Sequence, residues 1–282
     1  MKYIRIIPRL DIKGPNLVKG IQMEGLRVLG NPEDFAKTYY EQGADELIYQ
    51  DTVASLYQRN SLLDIITKTA KNIFIPITVG GGLRNINDIS KVLRAGADKV
   101  AINTAAIENP NFIIEASQRF GSSTIVVAIE SIKQKDGSYL AFTDNGREYT
   151  GKDAICWAKE VEKLGAGELL ITSIDRDGTG YGFDQILVEK ISKIVSIPVI
   201  AHGGASNISH LNNIISKSGA DAVSMASMLH YTVMNSNHVN MSNQVEGNKE
   251  FLEKKKTFKM FGDANLFQIK NQLNRKNIKV RI

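Results

Sequence analysis

The chain has 282 residues, 43% apolar and 23% charged, which is ordinary for a globular protein with a sizeable core of one large or two small domains. Its net charge of +5 is scattered along the sequence without a basic, aromatic-laced stripe, so nucleic acid is set aside and small anions such as phosphates fit better. The N-terminus lacks a signal-peptide stretch and no apolar run reaches membrane length, so the expectation is a cytoplasmic protein without a membrane segment.

The first element is Ile4–Lys13, reading IRIIPRLDIK, in which an apolar run ends in the lone carboxylate Asp11. The turn Gly14–Pro15–Asn16 and then Lys19 follow. This is the pattern of a buried parallel strand that delivers an acid to a loop. The predicted strands are Ile4–Leu10, Glu46–Gln50, Ile75–Val79, Lys99–Ile102, Thr124–Ile129, Glu168–Thr172, Pro198–Ala201 and Ala222–Met225. Between them the periodicity predicts helices at Pro32–Gln42, Ser61–Lys71, Ile86–Ala95, Asn109–Phe120, Asp153–Leu164, Phe183–Ile194 and Ile208–Lys217. Eight strands alternating with helices predict a single (β/α)8 (TIM) barrel over residues 1–282. An open doubly wound sheet competes, but its first turn would carry a glycine-rich fingerprint that Gly14–Pro15–Asn16 lacks. Cys156, the single cysteine, cannot form an intrachain disulfide and is expected as a buried packing residue of a protein in a reducing compartment.

The chain also repeats itself in halves. IPITVGGGLRNINDISKVLRAGADKVAINTAA (Ile75–Ala106) matches IPVIAHGGASNISHLNNIISKSGADAVSMASML (Ile197–Leu229), and Gln42–Gly43–Ala44 matches Leu164–Gly165–Ala166. A repeat this long implies two half-barrels rather than a solenoid. Ser131–Tyr149 reads as a long polar loop at the catalytic face. Thr232–Gly262, rich in Asn and Lys, reads as a C-terminal inserted appendage, partly helical, before an amphipathic tail, Asn265–Ile282, that closes the barrel.

The chemistry of such a barrel lies at the C-terminal ends of its strands. Gly81–Gly82 and Gly203–Gly204, each before a helix, suit phosphates through backbone N–H groups and the helix dipole, as do Asn103–Thr104 and Ala226–Ser227. Two symmetry-related anion sites imply a substrate with a phosphate at each end; tight-turn glycines are the plainer alternative. Asp177, Gly178 and Thr179 lie at the same face, and Lys19 pairs with Asp11 or binds substrate. The repeat matches Asp11 with Glu130, and opposed carboxylates across a mouth suit general acid–base chemistry. His202 and His230 stand alone, so neither metal nor cofactor is expected. Arg5, Glu46, Lys99 and Glu168 sit where strands begin and would plug the barrel floor as ion pairs.

Together LDIK…LVKG (Leu10–Gly20), DELIYQD (Asp45–Asp51), VGGGLRN (Val79–Asn85), KVAINTAA (Lys99–Ala106), TSIDRDGTG (Thr172–Gly180), IAHGGA (Ile200–Ala205) and VRI (Val280–Ile282) resemble the cyclase-subunit family of imidazole glycerol phosphate synthases. The resemblance implies a lyase-type synthase of histidine biosynthesis in which Asp11 and Glu130 are the acid/base pair. The glycine, Asn103–Thr104 and Ala226–Ser227 motifs would hold the phosphates of a phosphoribulosyl-formimino carboxamide nucleotide. Arg5, Glu46, Lys99 and Glu168 would gate ammonia from a docked glutaminase subunit. The chain departs from the family in carrying Glu130 for an aspartate, Arg9 for a small or apolar residue, His202 for a small one, and the 232–262 insertion. These departures resemble a paralogous branch that conducts ammonia for amidation of a surface-polysaccharide sugar. A non-catalytic scaffold for the glutaminase is the third expectation.

Overall fold

Twelve strands form one sheet in the computed structural model, which describes residues 2–54, 62–236 and 261–282. In chain order they are β1 (Arg5–Lys13), β2 (Asn16–Ile21), β3 (Glu24–Gly30), β4 (Leu47–Asp51), β5 (Ile77–Gly80), β6 (Lys99–Ile102), β7 (Ile125–Lys133), β8 (Tyr139–Thr143), β9 (Glu148–Asp153), β10 (Glu168–Ser173), β11 (Val199–His202) and β12 (Ala222–Met225). Parallel neighbours run β1, β4, β5, β6, β7, β10, β11, β12 and back to β1, so the eight predicted strands close a barrel. Their boundaries differ from the predicted ones by up to four residues, and β1 and β7 run on past the barrel wall.

Strand alternation divides the core. Outward side chains meet the helices in one large cluster, while Ile7, Ile48, Ala101, Val126, Ala128, Leu170, Ile200 and Ala222 form a separate cluster inside the barrel. The Gly-Ala-Asp turns have a local task. Asp45, Asp98 and Asp221 accept the backbone N–H groups of Ile6, Ile77 and Val199 at 2.7–2.8 Å, tying the start of one strand to the turn before the next. Asp45 also pairs at 2.8 Å with Lys270 of the helix Leu266–Arg275, and the Ile4 N–H donates to the Lys279 carbonyl. The tail therefore closes the barrel floor, though its helix stops at Arg275 and the last residues run on without helix.

Three expectations need correction or placement. Ser131–Tyr149 is not a loop: β7 continues to Lys133 and pairs antiparallel with β8, which pairs with β9. A second hairpin, β2–β3, extends β1 in the same way in the first half. Cys156 is exposed, because Ala154, Trp157, Ala158 and Val161 form the buried face of its helix and the cysteine points the other way. Most of the expected appendage, 237–260, lies outside the described residues.

Candidate active site

β1 and β7 stand four strands apart in an eight-stranded ring, so Asp11 and Glu130 face each other from opposite walls. Both are buried, with 3% and 4% of their surface exposed. Their cover is the pair of hairpins, which meet above the mouth. Asn145 Nδ2 donates to the Met23 carbonyl at 3.4 Å, Arg147 Nε lies 3.1 Å from Glu24 Oε1, and the Gln22 N–H donates to the Asp177 carbonyl at 2.7 Å.

Beneath that cover lies a buried charge network. Asp11 accepts from Arg9 Nε at 2.7 Å and from Lys19 Nζ at 3.0 Å, and Lys19 also donates to Asp177 at 2.7 Å. His202 Nε2 sits 3.4 Å from the other Asp177 oxygen, and its Nδ1 is 3.1 Å from the Ser224 carbonyl. Burial raises the Asp11 carboxyl, but Arg9 and Lys19 outweigh it and hold the group well below the usual carboxylate range. Burial pushes the Glu130 carboxyl up to about 7; Arg9 opposes this, and the Asp11 charge adds to it. One Glu130 oxygen, Oε2, is buried without a hydrogen-bond partner.

On one side of the hairpin bridge a cavity of about 310 Å³ is bordered by Gly81, Gly82, Asn103, Thr104, Arg84 and Glu130, among others. Gly81 adopts φ +99°, and a Cβ there would lie 2.4 Å from the Asp51 carbonyl oxygen, so only glycine fits. Asn103 donates to the Phe142 carbonyl at 3.0 Å, and Thr104 Oγ1 accepts the Asp144 N–H at 3.3 Å. On the other side, Asp177, Gly178, His202, Gly203, Gly204, Ala226 and Ser227 border a cleft of only about 10 Å³, room for about one water. Lys19 is held between two aspartates at 2% side-chain exposure, and Thr179 donates its hydroxyl to the Arg176 carbonyl within its own loop.

At the floor, Arg5 pairs with Glu46 at 2.7 Å and with Glu168, and Lys99 bridges Glu46 and Glu168 at 3.1 and 3.0 Å. The four predicted residues form a closed ring. Its acids are repeat mates, whereas Thr124 and Ala222 stand at the positions that mirror Arg5 and Lys99.

Sequence reasoning passed over Arg84, Gln50, Asp144 and Asn145, all at the larger cavity. Arg84 could have been found, since it lies two residues past the glycine turn, and Gln50, since it ends a predicted strand; Asp144 and Asn145 depend on a hairpin that was not foreseen. Among the described residues no group of His, Cys, Asp or Glu could hold a metal, and no helix is long and apolar enough to cross a membrane.

A family model described as "Histidine biosynthesis protein" matches residues 5–235. A Legionella pneumophila protein named imidazole glycerol phosphate synthase subunit HisF is 58% identical over 212 residues, which cover 75% of this chain and all of the relative. Proteins of the same name from Exiguobacterium and Clostridium botulinum are 49% and 48% identical, over 80% of this chain and 88% and 90% of their own lengths.

Proposed function

This chain belongs to the histidine biosynthesis protein family, and from that membership we propose that it is the cyclase subunit of an imidazole glycerol phosphate synthase. The observation that carries the reading is the stacking of three features along one barrel axis. Asp11 and Glu130 oppose each other at the mouth, glycine turns flank them on both sides, and the ring of Arg5, Glu46, Lys99 and Glu168 lies at the floor. In this reading a glutaminase docks at the floor and its ammonia passes the ring and the apolar interior. At the mouth ammonia adds to the bis-phosphorylated formimino substrate, the substrate breaks, and the imidazole ring closes with release of the carboxamide nucleotide. In this reading the complex acts in the cytoplasm and without a cofactor.

Ammonia-dependent turnover of the formimino substrate tests this directly. Asp11→Asn is expected to lower kcat by roughly 100-fold or more, the usual worth of a positioned acid or base. Absence of wild-type turnover at saturating ammonium would sink the reading.

A second reading, ammonia delivery to a partner that amidates a surface-polysaccharide sugar, is favoured by one observation. The cleft of about 10 Å³ at Gly203–Gly204 is far smaller than its repeat mate, which is awkward for a substrate carrying two phosphates. Glutaminase stimulation by the wild-type chain, without cyclase turnover at saturating ammonium, would select it.

A further inference from the structure

Arg9 is where the two halves stop being equivalent. It stands two residues before Asp11, and the matching position two residues before Glu130 is Ala128, so one half carries a guanidinium where the other carries a methyl group. Arg9 is 2% exposed, and its side chain points into the lumen. Nε lies 2.7 Å from Asp11 Oδ1, and Nη1 lies 3.4 Å from Thr172 Oγ1 on β10. Going round the barrel, β10 is three strands from β1, so this side chain crosses most of the lumen.

Its placement treats the two mouth carboxylates unequally. Asp11 faces Arg9 and Lys19 within hydrogen-bond distance, with Asp177 and His202 behind them. Glu130 faces Arg9, Asp11 and Asp177, takes a backbone hydrogen bond from Gly146, and keeps Oε2 bare in a buried setting. Two cations at contact distance favour a carboxylate, whereas one more distant cation against two anions in a buried setting favours the neutral acid. We propose that Arg9 is a positioning residue that divides the work between the two carboxylates, holding Asp11 ionised as proton acceptor and leaving Glu130 protonated as proton donor. The assignment of acceptor and donor rests on the cyclase reading; the unequal ionisation of the pair does not.

The test joins infrared titration of the carboxyl groups with the pH–rate profile of ammonia-dependent turnover. At about pH 6, below the raised titration of Glu130 and above the ordinary range for Asp, a protonated-carboxyl band is expected that disappears in Glu130→Gln and persists in Asp11→Asn. Arg9→Met is expected to move the titration of Asp11, and with it the acid limb of kcat, upward by about one to three pH units, the usual effect of an adjacent arginine. In Arg9→Met kcat should fall only below the shifted limb while KM changes little, and Arg9→Lys should return the limb most of the way. A band at about pH 6 that survives Glu130→Gln would overturn the proposal, as would an Asp11 titration that stays in place in Arg9→Met. The band comparison does not require Arg9→Met to fold. If wild type shows no turnover, the cyclase reading falls while the infrared result still decides whether the pair is split.

Discussion

In the first half of the barrel, Gly81–Gly82 and Asn103–Thr104 border a cavity of about 310 Å³; in the second, Gly203–Gly204 and Ala226–Ser227 border about 10 Å³. The backbones do not account for this. Gly81 and Gly203 have φ of +99° and +98°, and Asn103 and Ala226 share the unusual pair of about −128°/−82° and −125°/−82°. Asn85 and Asn207 cap the following helices through the same N3 amide, Asp88 in one and His210 in the other. What differs is the inward layer beneath. Gly80, with Gln50 and Ala101 beside it, occupies the register position that His202, with Thr172 and Ser224 beside it, takes in the other half. Duplicated backbone preserves the turn that could hold an anion, while interior side chains decide how much room stands in front of it.

The comparison extends to the carboxylates, and there it can be broken most severely. Glu130 titrates higher in the folded chain than in the unfolded one, so the folded state binds the extra proton between about pH 4.5 and 7 and stability falls as pH rises through that window. The loss amounts to about 3 kcal/mol, and Glu130→Gln should abolish it in denaturant titrations across that range. Asp11 is shifted the other way, so its contribution is present above the ordinary Asp range and disappears only as pH falls well below it. Equal pH slopes for Glu130→Gln and Asp11→Asn would mean that the halves are electrostatically alike after all.

A smaller effect examines what the halves share. A Cβ at Gly81 would meet the Asp51 carbonyl oxygen at 2.4 Å, and one at Gly203 would meet the Ser173 carbonyl oxygen at 2.7 Å. Gly81→Ala and Gly203→Ala should therefore each cost about 2 kcal/mol in stability, through strain at positive φ and backbone collision. Markedly unequal costs would show that the two turns are not interchangeable. The smallest effect concerns the difference in room. His202→Ser should open the second cleft and tighten inorganic phosphate there by roughly tenfold, about 1.4 kcal/mol, measured by calorimetry. No gain would assign the closure to the β2–β3 hairpin rather than to the imidazole.

Much of the fold was legible. Eight apolar runs, the half-chain repeat and the Gly-Ala-Asp turns are local or periodic signals, and parallel strands buried on both faces leave a strong one. The hairpins were missed for a physical reason. β2, β3, β8 and β9 are short ribbons that exist because β1 and β7 run on past the wall and offer an edge to pair with, and isolated two-stranded ribbons have little stability or sequence signal of their own. The exposure of Cys156 could have been read from the phase of Ala154, Trp157, Ala158 and Val161, since position 156 lies off that stripe.

By itself the amino-acid order determined which residues reach the barrel's two ends. Strand alternation aims every second side chain inward, so Arg5, Asp11, Glu46, Lys99, Glu130 and Glu168 were identifiable from spacing and repeat. Only the tertiary structure decided what those residues face. Arg9 meets Thr172 from 163 positions away, Lys19 meets Asp177 from 158, and two hairpins meet above the mouth. Protonation and cavity size follow from burial and from charges acting through space, and neither is a property of neighbours along the chain.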